Sequence, residues 1–150
     1  MVKKTSKRHT EVLNKYQAGE GGYYNWTQKM LGALEITSWD YGRVSMSWDI
    51  DDHFVMPDGI MFGGHVANVA DQIASLAAMS ALEESTTRFR TSRLETNYFR
   101  PVMRPSAIIE ARATNVSKTL IHVEADILTP DEKLAVRVYA VQVLRPKPAE

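Results

Sequence analysis

The chain has 150 residues, of which 44% are hydrophobic and 24% charged, and its formal net charge at pH 7 is zero. This length predicts a single globular domain with a substantial core, and the neutral charge argues against a broad nucleic-acid-binding surface. The chain contains no cysteine, which excludes disulfides and cysteine-ligated zinc and fits a cytoplasmic protein.

The two ends of the chain are predicted to lie outside the main domain. The basic N-terminal segment lacks the apolar core of a secretory signal, and its first eight or so residues are predicted to be a solvated tail. A short helix is predicted over Glu11–Gln17, ended by the glycine-rich turn at Gly19–Gly22. We accordingly divide the chain into an N-terminal tail and short helix (1–22), a main domain (23–145) and a disordered C-terminal tail (146–150).

The main domain is predicted to contain one long helix and six strands. Two alternating segments rich in β-formers, Leu31–Trp39 and Arg43–Ile50, predict a hairpin. A helix is predicted from about Phe62 to about Leu82, because this stretch is rich in Ala, Leu and Met and contains no proline. The four extended segments that follow are Phe89–Phe99, Ala107–Asn115, Leu120–Leu128 and Lys133–Leu144. The order β-β-α-β-β-β-β predicts an α+β fold, with a curved antiparallel sheet wrapped around one long central helix.

The predicted helix is apolar nearly all round and carries a single acid. Asp71 is the one formally charged residue between Gly59 and Leu82. A carboxylate is costly to bury there, and such groups cluster at functional sites. Residues three and four apart share a helix face, so a stripe of small and polar residues is predicted, made of Gly64, Asn68, Asp71 and Ser75. The alternative is a structural aspartate satisfied by Asn68 and Ser75. These polar residues also argue against a membrane span.

The glycine pair Gly63–Gly64 lies where this helix is predicted to begin. Unpaired N–H groups and the helix dipole favour negative charge at that end, which suggests an oxyanion hole for acyl transfer; the alternative is a sterically tight turn into the helix. Eight residues separate Gly63 from Asp71, or roughly 12 Å along a helix. One helix therefore cannot bring both groups to the same carbonyl, whereas two antiparallel helices across a two-fold axis can.

The stretches GIMFGGHVANVADQIASLAA and TNYFRPV resemble the hotdog-fold acyl-CoA thioesterases of the phenylacetate-pathway, 4-hydroxybenzoyl-CoA thioesterase-like type. The resemblance implies a hotdog fold and hydrolysis of an acyl-CoA thioester by a homodimer or homotetramer. It also implies that no metal or prosthetic group is needed, because coenzyme A is part of the substrate.

The resemblance also assigns roles to individual residues. It makes Asp71 the nucleophile or general base and the Gly63 amide the oxyanion donor, while Thr91 holds the attacking water. Ser75 matches a hydroxyl used in another branch of the family. Two positions depart from the pattern, since Phe62 replaces a usual histidine and Met56 a usual Asn or Gln. The residues expected to line the substrate site are Met56, Phe62, Gly64 and Asn68.

Five arginines lie between residues 88 and 104, and guanidinium groups bind phosphates such as those of coenzyme A. Arg100 and Arg104 are the proposed phosphate contacts, and the alternative is a solvated strand edge with surface ion pairs.

Two other functions stay open. One is a non-catalytic acyl-CoA-binding protein, favoured by the two departures. The other is a hotdog enoyl-CoA hydratase, which would need a histidine paired with the carboxylate; neither His53, His65 nor His122 has a matching motif.

Overall fold

The computed structural model describes residues 2–149, apart from the side chain of Thr87. Two short helices precede the sheet, and a third, longer helix lies between the second and third strands. In chain order the elements are α1 (Lys7–Gln17), α2 (Gly22–Met30), β1 (Ala33–Asp40), β2 (Arg43–Asp49), a 3-10 turn (Asp52–Phe54), α3 (Gly63–Ser80), β3 (Thr86–Tyr98), β4 (Ser106–Val116), β5 (Leu120–Leu128) and β6 (Leu134–Pro146).

The six strands form one antiparallel sheet with the order β1-β2-β4-β5-β6-β3. Strand β3 follows the long helix and returns to the far side of β6, so β1 and β3 are the two edges of the sheet. Helix α3 packs against five of the strands, β2 to β6. This is the predicted α+β hotdog arrangement, and each predicted strand lies within a few residues of an observed one.

Helix α3 buries most of its surface and leaves one stripe accessible. Val66, Val69 and Ile73 are buried against the sheet, whereas the stripe formed by Gly64, Asn68, Asp71 and Ser75 stays partly or fully exposed. The predicted amphipathic division is therefore confirmed. The helix is slightly shorter than predicted, since it begins at Gly63 and ends at Ser80.

The N-terminal segment is more ordered than the sequence predicts. Helix α1 begins at Lys7 because Ser6 caps it, its hydroxyl accepting a hydrogen bond from the His9 amide over 3.1 Å. Ser6 is buried and its own amide donates to the Leu82 carbonyl over 2.8 Å, so the expectation of a solvated tail up to residue 8 is wrong. Leu13 of α1 is fully buried in the main core.

Helix α2 was not predicted, and its first residue lies before the predicted domain boundary at residue 23. Its sequence contains glycine and several aromatics, which have modest helix propensity. Packing instead holds it: Thr27 is fully buried, and its hydroxyl accepts a hydrogen bond from Gln72 Nε2 over 2.9 Å. Residues 7–30 therefore supply two helices that pack against the hotdog core.

The C-terminal tail also begins later than predicted. Pro146 is the last residue of β6, and the Lys147 amide donates to the Ser85 carbonyl over 2.8 Å. The expectation of disorder from residue 146 is wrong for these two residues, because pairing beside β3 continues past the last apolar residue. Met1 and Glu150, included in the two predicted terminal segments, lie outside the described residues.

Candidate active site

Asp71 faces a cavity of about 420 Å³ that is bounded by α1, α3 and the start of β3. Its carboxylate is half-buried, and Oδ1 accepts a hydrogen bond of 2.7 Å from the hydroxyl of Thr91, which is exposed on β3. The fold thus brings together two of the residues to which the resemblance assigned catalytic roles. A hydroxyl held against a carboxylate at the wall of an open cavity is a suitable place to bind and activate water.

Gln142 on β6 completes this group and was missed in the sequence analysis. It pairs directly with Thr91 across the β3–β6 ladder, lines the same cavity and is fully buried. One end of its amide group lies 3.2 Å from the Thr91 hydroxyl. The other end has no hydrogen-bond partner in the described part of the chain.

The Thr91 hydroxyl has one hydrogen, so it can donate to only one of its two neighbours, Asp71 and Gln142. The carboxylate of Asp71 is the stronger and nearer acceptor, so it takes that hydrogen. The structure places Gln142 Oε1 at this contact, where it competes with Asp71 for that hydrogen. Rotating the Gln142 amide by 180° presents its NH₂ instead, and in that orientation Gln142 donates to Thr91 while Thr91 donates to Asp71. A sequence signal existed, since Gln142 occupies an inward position of β6 where Val136, Val138 and Ala140 precede it.

The remaining members of the α3 stripe divide between two places. Ser75 lines the Asp71 cavity one turn further along α3, while Asn68 and Gly64 are exposed nearer the start of the helix. Among the described residues the hydrogen bond to the Asp71 side chain comes from Thr91 rather than from Asn68 or Ser75. The structure therefore contradicts the alternative in which Asn68 and Ser75 satisfy the Asp71 carboxylate.

The glycine pair forms the first residues of α3, as predicted. Phe62 occupies the N-cap position without a side-chain hydrogen bond, and within residues 2–149 no acceptor is recorded for the amides of Gly63 and Gly64. The Tyr98 hydroxyl donates to the Gly63 carbonyl over 2.7 Å, which fixes this backbone from the far end of β3. The two amides are available to an anionic oxygen.

The two residues that depart from the family pattern both have accessible side chains. Phe62 is 59% exposed, and its ring lies over Gly64, where an added Cβ would come within 2.8 Å of a ring carbon. Met56 is 37% exposed, and its amide donates to the Ile60 carbonyl over 2.8 Å in the loop before α3. An aromatic ring therefore lies over the second glycine of the pair.

The histidine that follows the glycine pair has a structural role. His65 is buried, stacks on Phe54 with a centroid separation of 3.6 Å, and its Nε2 lies 2.9 Å from the Leu31 carbonyl. Burial lowers its pKa below the usual 6.5, although the contact with Leu31 acts in the opposite direction. These contacts hold His65 in the core, and it does not line the Asp71 cavity.

A different histidine reaches the Asp71 cavity. His9 of α1 lines it, and its Nδ1 lies 2.5 Å from the Ser6 hydroxyl. Burial, with a smaller contribution from Arg8, lowers the pKa of His9, whereas Glu84 raises it. No sequence pattern points to His9, because only the packing of α1 on α3 brings it here.

The arginines expected to bind phosphates are engaged within the chain. Arg104 forms an ion pair of 2.5 Å with Asp52, and Arg100 donates to the Leu134 carbonyl over 2.7 Å. Arg88 and Arg90, in contrast, line the Asp71 cavity. The side chain of Arg93 pairs with Glu95 over 3.1 Å on exposed strand surface.

Two classes of site are not found in the part of the chain that the structure describes. No group of three or more His, Asp and Glu side chains is arranged to hold a metal ion. No helix among these residues is sufficiently long and apolar to cross a membrane.

Comparison with known proteins gives consistent matches. A family model described as the thioesterase superfamily matches residues 58–136. A Haemophilus influenzae protein named "Putative esterase" is 30% identical over 103 residues, which are 67% of this chain and 72% of that protein. The crystal structure of a thioesterase from Haemophilus influenzae has a TM-score of 0.76 and 22% identity, covering 97% of this chain and 96% of the other.

A second solved structure is a Streptococcus pneumoniae protein described as a hypothetical thioesterase with coenzyme A. Its TM-score is 0.75 at 15% identity, and the match covers 85% of this chain and 97% of the other. At these identities the two solved structures show a common fold.

Proposed function

The chain belongs to the thioesterase superfamily and is a thioesterase, and on that premise we propose that its reaction is the hydrolysis of an acyl-CoA thioester to a free acid and coenzyme A. The observation that carries the proposal is the Asp71–Thr91 hydrogen bond at the wall of an accessible cavity. The similar Streptococcus pneumoniae structure, which is described as containing coenzyme A, supports the choice of thiol. The reaction uses no metal or prosthetic group beyond the coenzyme A of the substrate.

Two chemical routes begin from the Asp71 carboxylate. In the first, Asp71 takes a proton from water while the water oxygen attacks the thioester carbonyl. In the second, the carboxylate itself attacks, forming a mixed anhydride that water then hydrolyses. In both routes the carbon–sulfur bond breaks and coenzyme A leaves as thiolate. The Thr91 hydroxyl holds the water next to Asp71, and Ser75 lines the same cavity.

The oxyanion donor is proposed to come from a second copy of the chain. The Gly63 amide lies eight residues before Asp71 on one helix, roughly 12 Å away, so it cannot reach a carbonyl at Asp71 of the same chain. A two-fold arrangement of antiparallel α3 helices places each Gly63 near the partner's carboxylate. The partial exposure of the α3 stripe and the position of β3 at the sheet edge support such a homodimer, which pairs further into a homotetramer.

The remaining proposed contacts lie around the thioester and the phosphates. Gly64, Asn68, Met56 and Phe62 lie near the start of α3 and line the thioester in this proposal. Arg100 and Arg104 are exposed and remain the proposed phosphate contacts, for which Arg104 must exchange Asp52 for phosphate.

A panel of acyl-CoA substrates tests the proposal directly. Thiol release is measured for the wild-type chain, for Asp71→Asn and for Asp49→Asn, an exposed acid-to-amide control at the end of β2. We expect Asp71→Asn to lower kcat by at least ~10² and the control to retain wild-type turnover. Turnover of Asp71→Asn equal to that of the wild type would remove Asp71 from the mechanism, and thiol release from none of the substrates would contradict hydrolysis.

The alternative of a non-catalytic acyl-CoA-binding protein rests on Phe62, whose ring lies over Gly64. Phe62→His restores the residue usual in the family without altering the Gly63 amide. If the chain is a hydrolase, this variant should release thiol from short acyl-CoAs at an equal or higher rate. A hydratase, which needs a histidine paired with the carboxylate, is disfavoured, because Asp71 accepts from Thr91 and His9 of the same cavity contacts the Ser6 hydroxyl.

A further inference from the structure

A second cavity opens between α1, α2 and α3, beyond the site described above. Its volume is about 710 Å³, within the range of small-molecule sites. Its walls are mainly aromatic and aliphatic, with Tyr16 and Val12 from α1 and Tyr23 and Trp26 from α2. Lys15 and Glu20, the charged residues that line it, are exposed. We call this cavity the α1–α2 groove.

The groove adjoins the Asp71 cavity. Val12, Tyr23 and Gln72 line both spaces, and Gln72 directly follows Asp71 on α3. The hydrogen bond of 2.9 Å from Gln72 to Thr27 fixes α2 to α3 at this junction. A group that extends from Asp71 past Val12 and Tyr23 is directed toward the groove.

The walls are held in place without a ligand. Tyr16 is fully buried, its hydroxyl donates to the Leu34 carbonyl over 2.8 Å, and its ring meets Tyr24 edge to face at 5.3 Å. In contrast, Tyr23 is 55% and Trp26 51% exposed. Binding of an apolar group that covers the Tyr23 and Trp26 rings is favourable, because it removes large aromatic surfaces from water.

We propose that the α1–α2 groove is the acyl-end subsite and that it selects an elongated apolar acyl chain over a short one. This inference rests on the proposed hydrolysis at Asp71. A thioester whose carbonyl lies at Asp71 extends in two directions, as the acyl group and as coenzyme A. Coenzyme A is polar and carries phosphates, which an aromatic groove does not accommodate. The acyl group is the apolar part of the substrate and matches the apolar walls. It must be long enough to pass Tyr23 before it reaches Trp26.

Two substitutions change the groove in opposite ways. Trp26→Ala removes an aromatic wall, and Met30→Ala is its matched control, because Met30 is also 51% exposed on α2 but does not line the groove. Gly22→Leu adds a side chain at the first residue of α2, where a Cβ would have no atom within 4 Å. It narrows the groove without a backbone clash.

The experiment measures binding and hydrolysis of decanoyl-CoA and acetyl-CoA. Dissociation constants are determined by calorimetry with the Asp71→Asn chain, which leaves the thioester intact, and kcat/KM is measured with Asp71 present. We expect decanoyl-CoA to bind more tightly than acetyl-CoA. Trp26→Ala and Gly22→Leu should each reduce this preference by about tenfold or more, whereas Met30→Ala should keep it within about twofold.

Three results would overturn the subsite. These are equal affinity for the two thioesters, an equal effect of Trp26→Ala and Met30→Ala, and a change in oligomeric state with an unchanged preference. The last result would identify the groove as an interface between copies of the chain. If the wild type binds decanoyl-CoA through Trp26 yet releases no thiol, hydrolysis fails while the subsite stands.

Discussion

The Thr91 hydroxyl donates to the Asp71 carboxylate over 2.7 Å, joining β3 to α3 between residues twenty positions apart. This contact depends on the chain returning to the far side of β6 after the helix, which makes β3 an edge strand beside the accessible stripe of α3. Gln142, opposite Thr91 on β6, extends the contact into the buried sheet. The candidate site therefore links the edge strand β3 to a buried residue of its neighbour β6.

The Gly63 amide can be removed with little change to the backbone. Gly63 is the first residue of α3, and Phe62 before it is extended at φ −56° and ψ 123°. Proline is well tolerated at this helix position and after an extended residue. Gly63→Pro removes the N–H donor and adds ring carbons at a helix position that accepts them, so we expect kcat to fall by about 10² to 10³ with the fold retained.

Gly63→Ala is the control for this variant, because alanine keeps the N–H group. Its Cβ would lie 3.9 Å from the Tyr98 ring, an ordinary contact, so near-wild-type thiol release is expected. Comparable activity of the proline and alanine variants would exclude the Gly63 amide as oxyanion donor.

Mixing two inactive variants tests whether the site is shared between chains. In a heterodimer of Asp71→Asn and Gly63→Pro, one site combines the intact Gly63 of the first chain with the intact Asp71 of the second. Random exchange gives half heterodimers with one working site in two, or about a quarter of wild-type activity. The two proteins are unfolded and refolded together, and activity that stays at the sum of the separate variants would contradict the shared site.

Gln142→Leu is expected to lower kcat without lowering the free energy of unfolding. Leucine removes the buried amide atom that has no partner, and an unsatisfied buried polar group costs about 1–3 kcal/mol. Loss of the bond to Thr91 costs about 1 kcal/mol, so the free energy of unfolding should not decrease. We expect kcat to fall about tenfold, because the Thr91 hydroxyl loses its orienting donor.

Urea unfolding and thiol-release kinetics measure the two effects of Gln142→Leu in parallel. A lower free energy of unfolding together with an unchanged kcat would make Gln142 a purely structural residue.

The stability of the fold should increase as pH rises through the range just below 6.5, the usual pKa of histidine. Burial lowers the pKa of His65 in the folded chain below the usual 6.5, so the unfolded chain binds more protons in this range. The free energy of unfolding then increases as pH rises, and this contribution is lost as pH falls below the unfolded value. His9 acts in the same direction.

Urea unfolding at several pH values, at one protein concentration, checks the prediction for His65. The pH slope should be smaller in His65→Gln and should stay at the wild-type value in His122→Gln, which alters a histidine of β5 that takes no part in the His65 contacts. Identical slopes in the two variants would show that His65 does not contribute.

Local sequence patterns determined much of the fold and part of the site. The alternation of β-formers located all six strands, and the apolar stretch around Asp71 located α3, because both patterns repeat at the period of one structural element. The same helical period grouped Asp71 with Ser75 and placed the glycine pair at the helix start. The family motifs supplied Thr91, which no local pattern links to Asp71.

Only the tertiary structure decided which distant residues meet. Gln142 and His9 reach the Asp71 cavity because β6 pairs with β3 and α1 packs on α3. The alternation along β6 marks Gln142 as inward-facing, but no local pattern links either residue to Asp71. Helix α2 likewise forms from residues of modest helix propensity, since burial of Thr27 and its hydrogen bond to Gln72 stabilise it. The sequence determined the elements because their signals are local, whereas the composition of the site follows from contacts between elements that only packing sets.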